Sequence, residues 1–194
     1  FISLSLMSYH KEISEASIKI LSRAANIGKL LNAKYMTVHL EAYPINMTLK
    51  EAKKRAIKAV RTISQNLSFP LLVENLSVKS SVQTAFPSTN REIISLVKSL
   101  PENPGITIDV GHAMRISEDP IKLFGAINNY VGNIHFHDIV NGHDHKALGT
   151  GEFDIPLFLK LLEEKKYNKF LTLEVIGEEE IEKSWEYLTK VLKI

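Results

Sequence analysis

Apolar and polar positions along the chain follow two spacings, one typical of helices and the other typical of buried strands. Between Glu12 and Leu31 the apolar residues recur every three or four positions, which predicts an amphipathic helix. Short apolar runs, such as the one from Ile106 to Val110, predict buried strands instead. The whole pattern predicts six strands, each followed by a helix, near residues 1–7, 35–40, 70–75, 106–110, 131–136 and 170–175.

Four of the predicted helices begin with recognisable capping signals. Two have the form of a capping box, in which a threonine and a glutamate three residues later bond each other's backbone, and two place a proline in the first turn. These starts are Thr48–Glu51, Thr89–Glu92, Asp119–Pro120 and Asp154–Pro156. The strict alternation of strands and helices predicts a parallel sheet with right-handed crossovers.

Polar side chains near the ends of the predicted strands distinguish a barrel from an open sheet. Five strands each bring one histidine or carboxylate toward the same rim, as in (β/α)8 barrels, whose active sites lie at the carboxyl ends of the strands. These residues are His39, Glu74, Asp109, His135 and Glu174. An open doubly wound sheet would be expected to carry a glycine-rich phosphate turn, and the sequence has neither G-x-G-x-x-G nor a Walker motif. We therefore predict an α/β fold of the TIM-barrel type.

Length and composition limit the classes of protein that fit. The 194 residues are enough for about one domain, and 24 basic against 22 acidic side chains give a net charge of only +2. A dedicated nucleic-acid binder would show a larger basic excess. The absence of cysteine excludes disulfides and thiolate metal sites, so a bound metal would need nitrogen and oxygen ligands. No apolar run has membrane-spanning length and no leader-like segment opens the chain, so we expect a cytoplasmic protein without a membrane partner.

The densest cluster of reactive side chains is the stretch Asn133–Gly149, which holds four of the seven histidines and two aspartates. His135 and His137 are two residues apart and therefore point to the same side of the predicted strand. Imidazole nitrogens and carboxylate oxygens are the usual donors to divalent metals in the absence of cysteine. The alternative is a polar surface loop whose histidines share no function, and this stretch alone leaves both interpretations open.

Three carboxylates, Glu74, Asp109 and Glu174, lie near the ends of apolar runs, where burial without a partner is costly. Each one alone could be a structural ion pair, but the three together favour a functional site. His39 alone fits a hydrogen-bonded core histidine as well as it fits a ligand. His112, three residues after Asp109, can reach the same rim.

The helix from Lys50 to Arg61 carries six basic residues and one glutamate. Such a surface could contact a phosphate backbone. In a barrel, however, the helices lie away from the catalytic rim, so we favour a solvated outer face. Nucleic acid therefore remains the less favoured partner.

Four stretches of the chain resemble the xylose isomerase-like barrels, a group that includes sugar phosphate isomerases and epimerases and the endonuclease IV type of apurinic-site nuclease. They are Leu72–Asn75, Ile108–His112, His135–Asp138 together with His143–Gly151, and Thr172–Glu174. Their order and spacing match the family from its third barrel strand to its end. The resemblance implies that residues 1–194 form a single barrel domain lacking the first two strand-helix units.

The resemblance also implies a site. In the isomerases and epimerases one divalent metal is held by residues matching Glu74, Asp109, His135 and Glu174, and we expect manganese, magnesium, cobalt or zinc. Glu74 and Glu174 would also act as the catalytic acid and base. His39, His112 and His145 are the expected substrate-binding residues. In the nuclease branch, histidines at these three positions contribute to further zinc sites.

Three departures from the family pattern bear on this expectation. The family barrel has eight strands and this sequence predicts six. The third strand of the nuclease branch supplies a metal histidine, and the corresponding part of this chain, Leu4–Tyr9, has none; His143 also stands where the nuclease has an aspartate. These differences argue against a complete three-zinc site and leave the one-metal site intact.

The favoured function is a metal-dependent isomerase or epimerase that moves a proton next to a metal-chelated carbonyl of a sugar or sugar derivative. The alternatives are a zinc-dependent abasic-site phosphodiesterase and a non-catalytic barrel relic. Six strands would leave two open edges, near residues 2–7 and 170–175, and such edges must be covered. We therefore expect either a homo-oligomer that shields the gap or a longer chain whose two further units precede Phe1.

Overall fold

A parallel sheet forms the centre of the structure, a computed structural model that describes residues 4–65, 67–77, 83–100 and 105–193. Nine strands lie in these residues: β1 (Met36–Val38), β2 (Ala42–Pro44), β3 (Leu71–Glu74), β4 (Gln83–Ala85), β5 (Gly105–Asp109), β6 (Val131–Phe136), β7 (Asp138–Val140), β8 (His143–Lys146) and β9 (Phe170–Leu173). Five of them, in the order β1-β3-β5-β6-β9, pair in parallel. The remaining four form two short antiparallel pairs, β2 with β4 and β7 with β8.

The order of the parallel strands confirms the predicted barrel-type topology. Each strand adds to the same side of the one before it, whereas a doubly wound sheet reverses direction at a switch point. The described residues therefore form a partial barrel of five strands. Its register sets Glu74 beside Thr107 and Asp109 beside His135, so residues predicted for the site lie at one end of the sheet.

The predicted first strand is wrong in its described part, and residues 1–3 lie outside the described residues. Residues 4–7 form a loop and a turn although Leu6 and Met7 are buried. The physical reason is that helix side chains bond the backbone that a neighbouring strand would otherwise pair. The N–H of Ser5 donates to the hydroxyl of Ser17 at 3.0 Å, and the hydroxyl of Ser14 donates to the carbonyl of Leu6 at 2.8 Å. The described sheet thus has five parallel strands where six were predicted.

Seven helices connect the strands in the described residues: α1 (Lys11–Leu30), α2 (Leu49–Ser64), α3 (Asn90–Val97), α4 (Val110–Arg115), α5 (Pro120–Ile127), α6 (Ile155–Glu164) and α7 (Glu178–Leu192). The four predicted starts are confirmed, and Thr89 with Glu92 forms a full capping box. At Thr48 only half of the box forms, because the Glu51 carboxylate bonds Arg55 instead. No helix in this part of the chain is long and apolar enough to cross a membrane.

Helix α4 was not predicted, because Val110 was assigned to the preceding strand. In the structure Asp109 ends β5 and its carboxylate accepts the N–H of His112 at 2.6 Å, which caps a helix starting at Val110. The same carboxylate is predicted to be a metal ligand. The side chain of Asp109 therefore caps α4 and also lies at the strand end where the metal site is expected.

The basic helix α2 has the placement favoured from the sequence. Its three alanines and the residues Val60 and Ile63 are buried, whereas Lys54, Lys58 and Arg61 are exposed. Lys53 turns toward the neighbouring helix α3 and donates to Ser95 at 2.7 Å. The amphipathic pattern therefore explains this helix as part of the outer layer.

The loop after the β7–β8 hairpin is organised by one buried carboxylate. Both oxygens of Asp138, which is 1% exposed, accept backbone N–H groups: Oδ1 from Ile139 at 2.8 Å and Phe153 at 3.1 Å, and Oδ2 from Gly149 at 3.1 Å and Gly151 at 2.9 Å. All four partners are donors, so the ionised form of Asp138 fits and a group carrying its own hydrogens does not.

We expect Asp138→Asn to lower the free energy of unfolding by about 3 kcal/mol, because the new amide would place an N–H₂ group against buried N–H donors. The measurement is urea unfolding followed by circular dichroism. Asp154→Asn is the matched control. It removes the same charge at the start of α6, where asparagine caps as well as aspartate, and should change stability by less than about 0.5 kcal/mol. Equal losses in the two variants would contradict the role given to Asp138.

Candidate metal centre

Four side chains meet at the carboxyl end of the sheet. Glu74 and Asp109 are the last residues of β3 and β5, His135 is the last but one of β6, and Glu174 directly follows β9. Because the strands are parallel, these ends lie along one edge. One potential ligand atom from each of the four lies within 4.8 Å of the other three. The structure therefore brings together the four residues predicted as ligands, and their binding of a metal remains a prediction.

The imidazole of His135 lies among the three carboxylates. Its Nδ1 is 2.6 Å from Oε2 of Glu174, 3.1 Å from Oε1 of Glu74 and 3.7 Å from Oδ2 of Asp109. One ring nitrogen carries at most one hydrogen, so it cannot satisfy three acceptors. The buried Oε2 of Glu174 has no hydrogen-bonding partner in the described part of the chain apart from this 2.6 Å contact with His135.

This unsatisfied arrangement fits a divalent cation. Three carboxylates and one imidazole give a mainly oxygen donor set with a net charge of about −3, which a +2 ion would largely neutralise. A cation among these atoms would also supply the partner that the orphaned oxygen of Glu174 lacks. The donor chemistry and the unsatisfied atom therefore agree with the ion expected from the sequence.

Electrostatics in the metal-free site favour a positive charge on His135. Burial by itself disfavours the imidazolium, but the carboxylates of Asp109, Glu174 and Glu74 outweigh it and raise the pKa of His135 to about 12. Burial also disfavours the charged forms of Glu74 and Asp109, which by itself would raise their pKa values. The hydrogen bonds from neighbouring histidines outweigh burial and hold both pKa values below their usual range. Without an ion, a proton on His135 thus balances part of the negative charge.

The three histidines predicted to bind substrate surround this cluster. His39 lies 2.9 Å from Oε2 of Glu74 through its Nε2, and this hydrogen bond raises the pKa of His39. The rings of His39 and His112 have centroids 6.5 Å apart, and those of His112 and His145 are 6.2 Å apart. The structure therefore places all three beside the carboxylates, and their contact with a substrate stays a prediction.

His137 lies beside the cluster, although it is not among the site residues that the sequence predicts. Its side chain is fully buried, and its Nε2 lies 3.1 Å and 3.2 Å from the two oxygens of Asp109. The signal for it was the two-residue spacing from His135, which points both rings to one side of the strand. The spacing alone did not show that its partner would be a carboxylate on another strand.

His143 and Asp144 differ in whether they lie near other potential ligands. His143 is exposed at the start of β8 and belongs to no cluster of potential ligands among the described residues. Asp144 instead has a potential ligand atom within 4.8 Å of His112 and His145. Its carboxylate is also 2.7 Å from the guanidinium of Arg115, so it already has a cationic partner.

The predicted loop at Asn141-Gly142 is a two-residue hairpin turn. Both residues have positive φ, +51° and +76°, as the turn that joins two twisted strands requires. The hairpin carries His145, whose φ is +57°, toward the carboxylates. His145 thus reaches the site from a small antiparallel pair and not from the main sheet.

A model of the xylose isomerase-like TIM barrel family matches residues 1–193 of this sequence. A D-tagatose 3-epimerase-like protein superposes with a TM-score of 0.84 at 21% identity, covering 100% of this chain and 74% of that one. A zinc-bound IOLI protein superposes with a TM-score of 0.81 at 15% identity, covering 96% of this chain and 72% of that one. An L-ribulose 3-epimerase superposes with a TM-score of 0.74 at 16% identity, covering 98% of this chain and 63% of that one. At these identities the superpositions establish the fold alone.

An uncharacterized protein of Methanocaldococcus jannaschii is 29% identical over 138 residues. The match covers 68% of this chain and 45% of the length of that protein. The matched part of this chain thus spans less than half of the length of that relative.

We expect a divalent metal to release close to one proton when it binds near neutral pH, because His135 is protonated in the metal-free protein. The pKa of His135 in the folded protein lies above the neutral range, so the proton that competes with the metal for this imidazole is lost only as pH rises. The apparent affinity should therefore increase about tenfold per pH unit between roughly pH 6 and pH 8. Titration calorimetry with manganese in two buffers of different ionisation enthalpy measures the proton count. A heat that is independent of the buffer would contradict this expectation, and His143→Gln should behave like the wild type.

Proposed function

We propose that this chain, which belongs to the xylose isomerase-like TIM barrel family, is a metal-dependent isomerase or epimerase of a sugar or sugar derivative. The observation that carries the proposal is the convergence of Glu74, Asp109, His135 and Glu174 at the carboxyl end of the sheet. Solved structures that share the fold include proteins described as sugar epimerases, which supports this class of reaction.

The same four residues would hold the ion. Manganese, magnesium, cobalt or zinc fits a set of three carboxylates and one imidazole. When bound, such an ion supplies Lewis acidity to the carbonyl oxygen and a neighbouring hydroxyl oxygen of a sugar, which acidifies the hydrogen on the carbon involved. The proton itself would be moved by side chains of the protein.

Glu174 and Glu74 differ in exposure, and this difference supports different proposed roles for the two residues. The side chain of Glu174 is 41% exposed, so it can approach a substrate carbon and accept a proton. Glu74 is 2% exposed and its Oε2 is bound to His39, whose side chain is 44% exposed. The Glu74–His39 pair is the proposed route by which a second proton reaches or leaves the substrate.

His112 and His145 present matching acceptors toward the substrate. Nδ1 of His112 lies 3.0 Å from the carbonyl oxygen of Asn75, and Nδ1 of His145 lies 2.9 Å from that of Glu174. A carbonyl only accepts, so each Nδ1 carries the hydrogen and each Nε2 of the neutral ring is left as an acceptor. Two such acceptors beside the carboxylates suit the hydroxyl groups of a sugar.

The alternative of an abasic-site phosphodiesterase has one specific observation in its favour. His112, Asp144 and His145 have potential ligand atoms within 4.8 Å of one another, next to the four-residue cluster. Against it, His143 is exposed, and Leu4–Tyr9 supplies no histidine. Duplex DNA carrying an abasic site, incubated with zinc or manganese, decides between the two functions, because the isomerase proposal expects no incision. Turnover of any substrate would exclude a non-catalytic relic.

We expect Glu174→Gln to keep the fold and to weaken manganese binding at least about 100-fold, because a charged ligand is lost. The measurements are circular dichroism for the fold and chelator competition for the metal. Glu182→Gln, on the exposed face of α7, removes the same charge away from the site and should bind manganese like the wild type. Full metal occupancy and full activity in Glu174→Gln would overturn the assignment of Glu174.

Catalysis can be tested without knowing the sugar in advance. A panel of ketopentoses and ketohexoses is incubated with the manganese-loaded protein in D₂O. Proton transfer through a solvent-exchanging base should place deuterium on the reacting carbon, which NMR detects even when the equilibrium favours the starting sugar. Glu174→Gln should abolish the incorporation and Glu182→Gln should not. Absence of deuterium across sugars, sugar phosphates and keto-sugar derivatives would contradict the proposed function.

A further inference from the structure

His137 connects the candidate metal centre to the hairpin that carries His145. Its ring is fully buried directly behind Asp109. On one side its Nε2 contacts both oxygens of Asp109 at 3.1 Å and 3.2 Å, and on the other its Nδ1 lies 2.9 Å from the backbone nitrogen of His145. One imidazole thus links the end of β5 to strand β8.

The hydrogen-bond partners determine which nitrogen of His137 carries the hydrogen. The backbone N–H of His145 can only donate, so Nδ1 must accept, and Nε2 is left to donate to Asp109. The carbonyl of Asp138 also lies near Nδ1, but at 3.4 Å it is the longer contact. The shorter one therefore fixes Nε2–H as the tautomer, and both ends of the ring are satisfied by it.

This bond helps to fix the plane of the Asp109 carboxylate. Oδ1 accepts the N–H of His112 at 2.6 Å and also contacts His137. Oδ2 is the oxygen that faces His135, at 3.7 Å. The first turn of α4 and the ring of His137 therefore hold the carboxylate so that one oxygen is turned toward the proposed ligand cluster.

The same ring also supports an unusual backbone conformation in the hairpin. His145 has a φ of +57°, in the left-handed region that is costly for a residue other than glycine. Its N–H is held by His137, its ring stacks on His137 with centroids 4.6 Å apart, and its Nδ1 bonds the carbonyl of Glu174. These contacts offset the cost and fix where Nε2 of His145 lies.

The packing leaves room for this ring and for little else. A Cβ added to Gly111 would lie 2.2 Å from the ring of His137, so the glycine at this position of α4 is required by the close approach of the imidazole. A residue that is buried, bonded at both nitrogens and given space by a glycine is held in one orientation.

We propose that His137 is a positioning residue that sets two parts of the site at once, the orientation of Asp109 and the place of His145. Its effect on metal affinity rests on the proposed function, because it needs an ion at Glu74, Asp109, His135 and Glu174. The hydrogen bonds of His137 and its contacts with the hairpin do not depend on the proposed function, and they can be measured in the metal-free protein.

Two substitutions separate the two bonds. In His137→Asn the amide oxygen can take the place of Nδ1 and keep the bond from His145, but nothing reaches Asp109. In His137→Gln the amide nitrogen can take the place of Nε2 and keep the bond to Asp109, but the acceptor for His145 is lost. We expect His137→Asn to weaken manganese binding about 10- to 100-fold, the usual effect of losing a group that orients a ligand, and His137→Gln to stay within about threefold of the wild type.

Amide hydrogen exchange should show the opposite order. The N–H of His145 should exchange at least about tenfold faster in His137→Gln and should stay protected in His137→Asn, because only the latter keeps its acceptor. Ser184→Ala is the matched control, since it removes a buried hydroxyl that accepts the N–H of Leu148 at 3.0 Å without contacting Asp109. It should lower stability and leave manganese affinity unchanged.

Nitrogen-15 NMR of the metal-free wild type tests the tautomer without any variant. The resonance of His137 Nε2 should show a bound hydrogen and that of Nδ1 should not. The reverse pattern would overturn the proposal. So would equal manganese affinity in all variants, or an equal loss of manganese affinity in His137→Asn, His137→Gln and Ser184→Ala. If the wild type binds no metal, the proposed function fails, and the tautomer and exchange data still decide whether His137 holds the hairpin.

Discussion

Crowding of negative charge at one end of a parallel sheet is the constraint on which the rest of the site depends. Glu74 and Asp109 are almost completely buried at the ends of β3 and β5. Glu174 joins them from the end of β9, which is separated from β5 by one strand, β6. Carboxylates this close repel one another and lose solvation, so each must be compensated locally. Histidine rings and the first turn of α4 supply that compensation, which is why imidazoles are concentrated here and nowhere else in the described sheet.

Local rules explain what the sequence predicted correctly. Helix starts depend on residues three apart, and strand ends are marked by a polar residue after an apolar run, so the caps at Thr89 and Asp154 and the strand-end positions of Glu74 and Asp109 were predictable. The misses involve partners far along the chain. The loop containing Leu6 is held by serines of α1, a contact that no pattern within residues 4–7 could reveal.

The candidate site shows the same division. Periodicity placed four ligand-type residues at one rim, but it could not distinguish Glu74 from Glu174, because sequence does not report how far each side chain is exposed. It also gave His137 no role, since its two partners come from β5 and from the hairpin. Residue type predicted which side chains could bind a metal, whereas the different roles proposed for them depend on burial and on contacts across the sheet.

Asp138 has a further consequence for how this molecule can change over evolutionary time. Loops at the carboxyl end of a barrel are normally the plastic part of the fold, where insertions alter specificity at little cost. The loop from Gly149 to Phe153 is different, because its backbone is tied to a single carboxylate and Gly151 packs against the carbonyl of Ile139. An insertion here would move donors away from a buried anion. Insertions and substitutions in this loop should therefore cost more stability than changes in a loop whose backbone is not bonded to a buried anion.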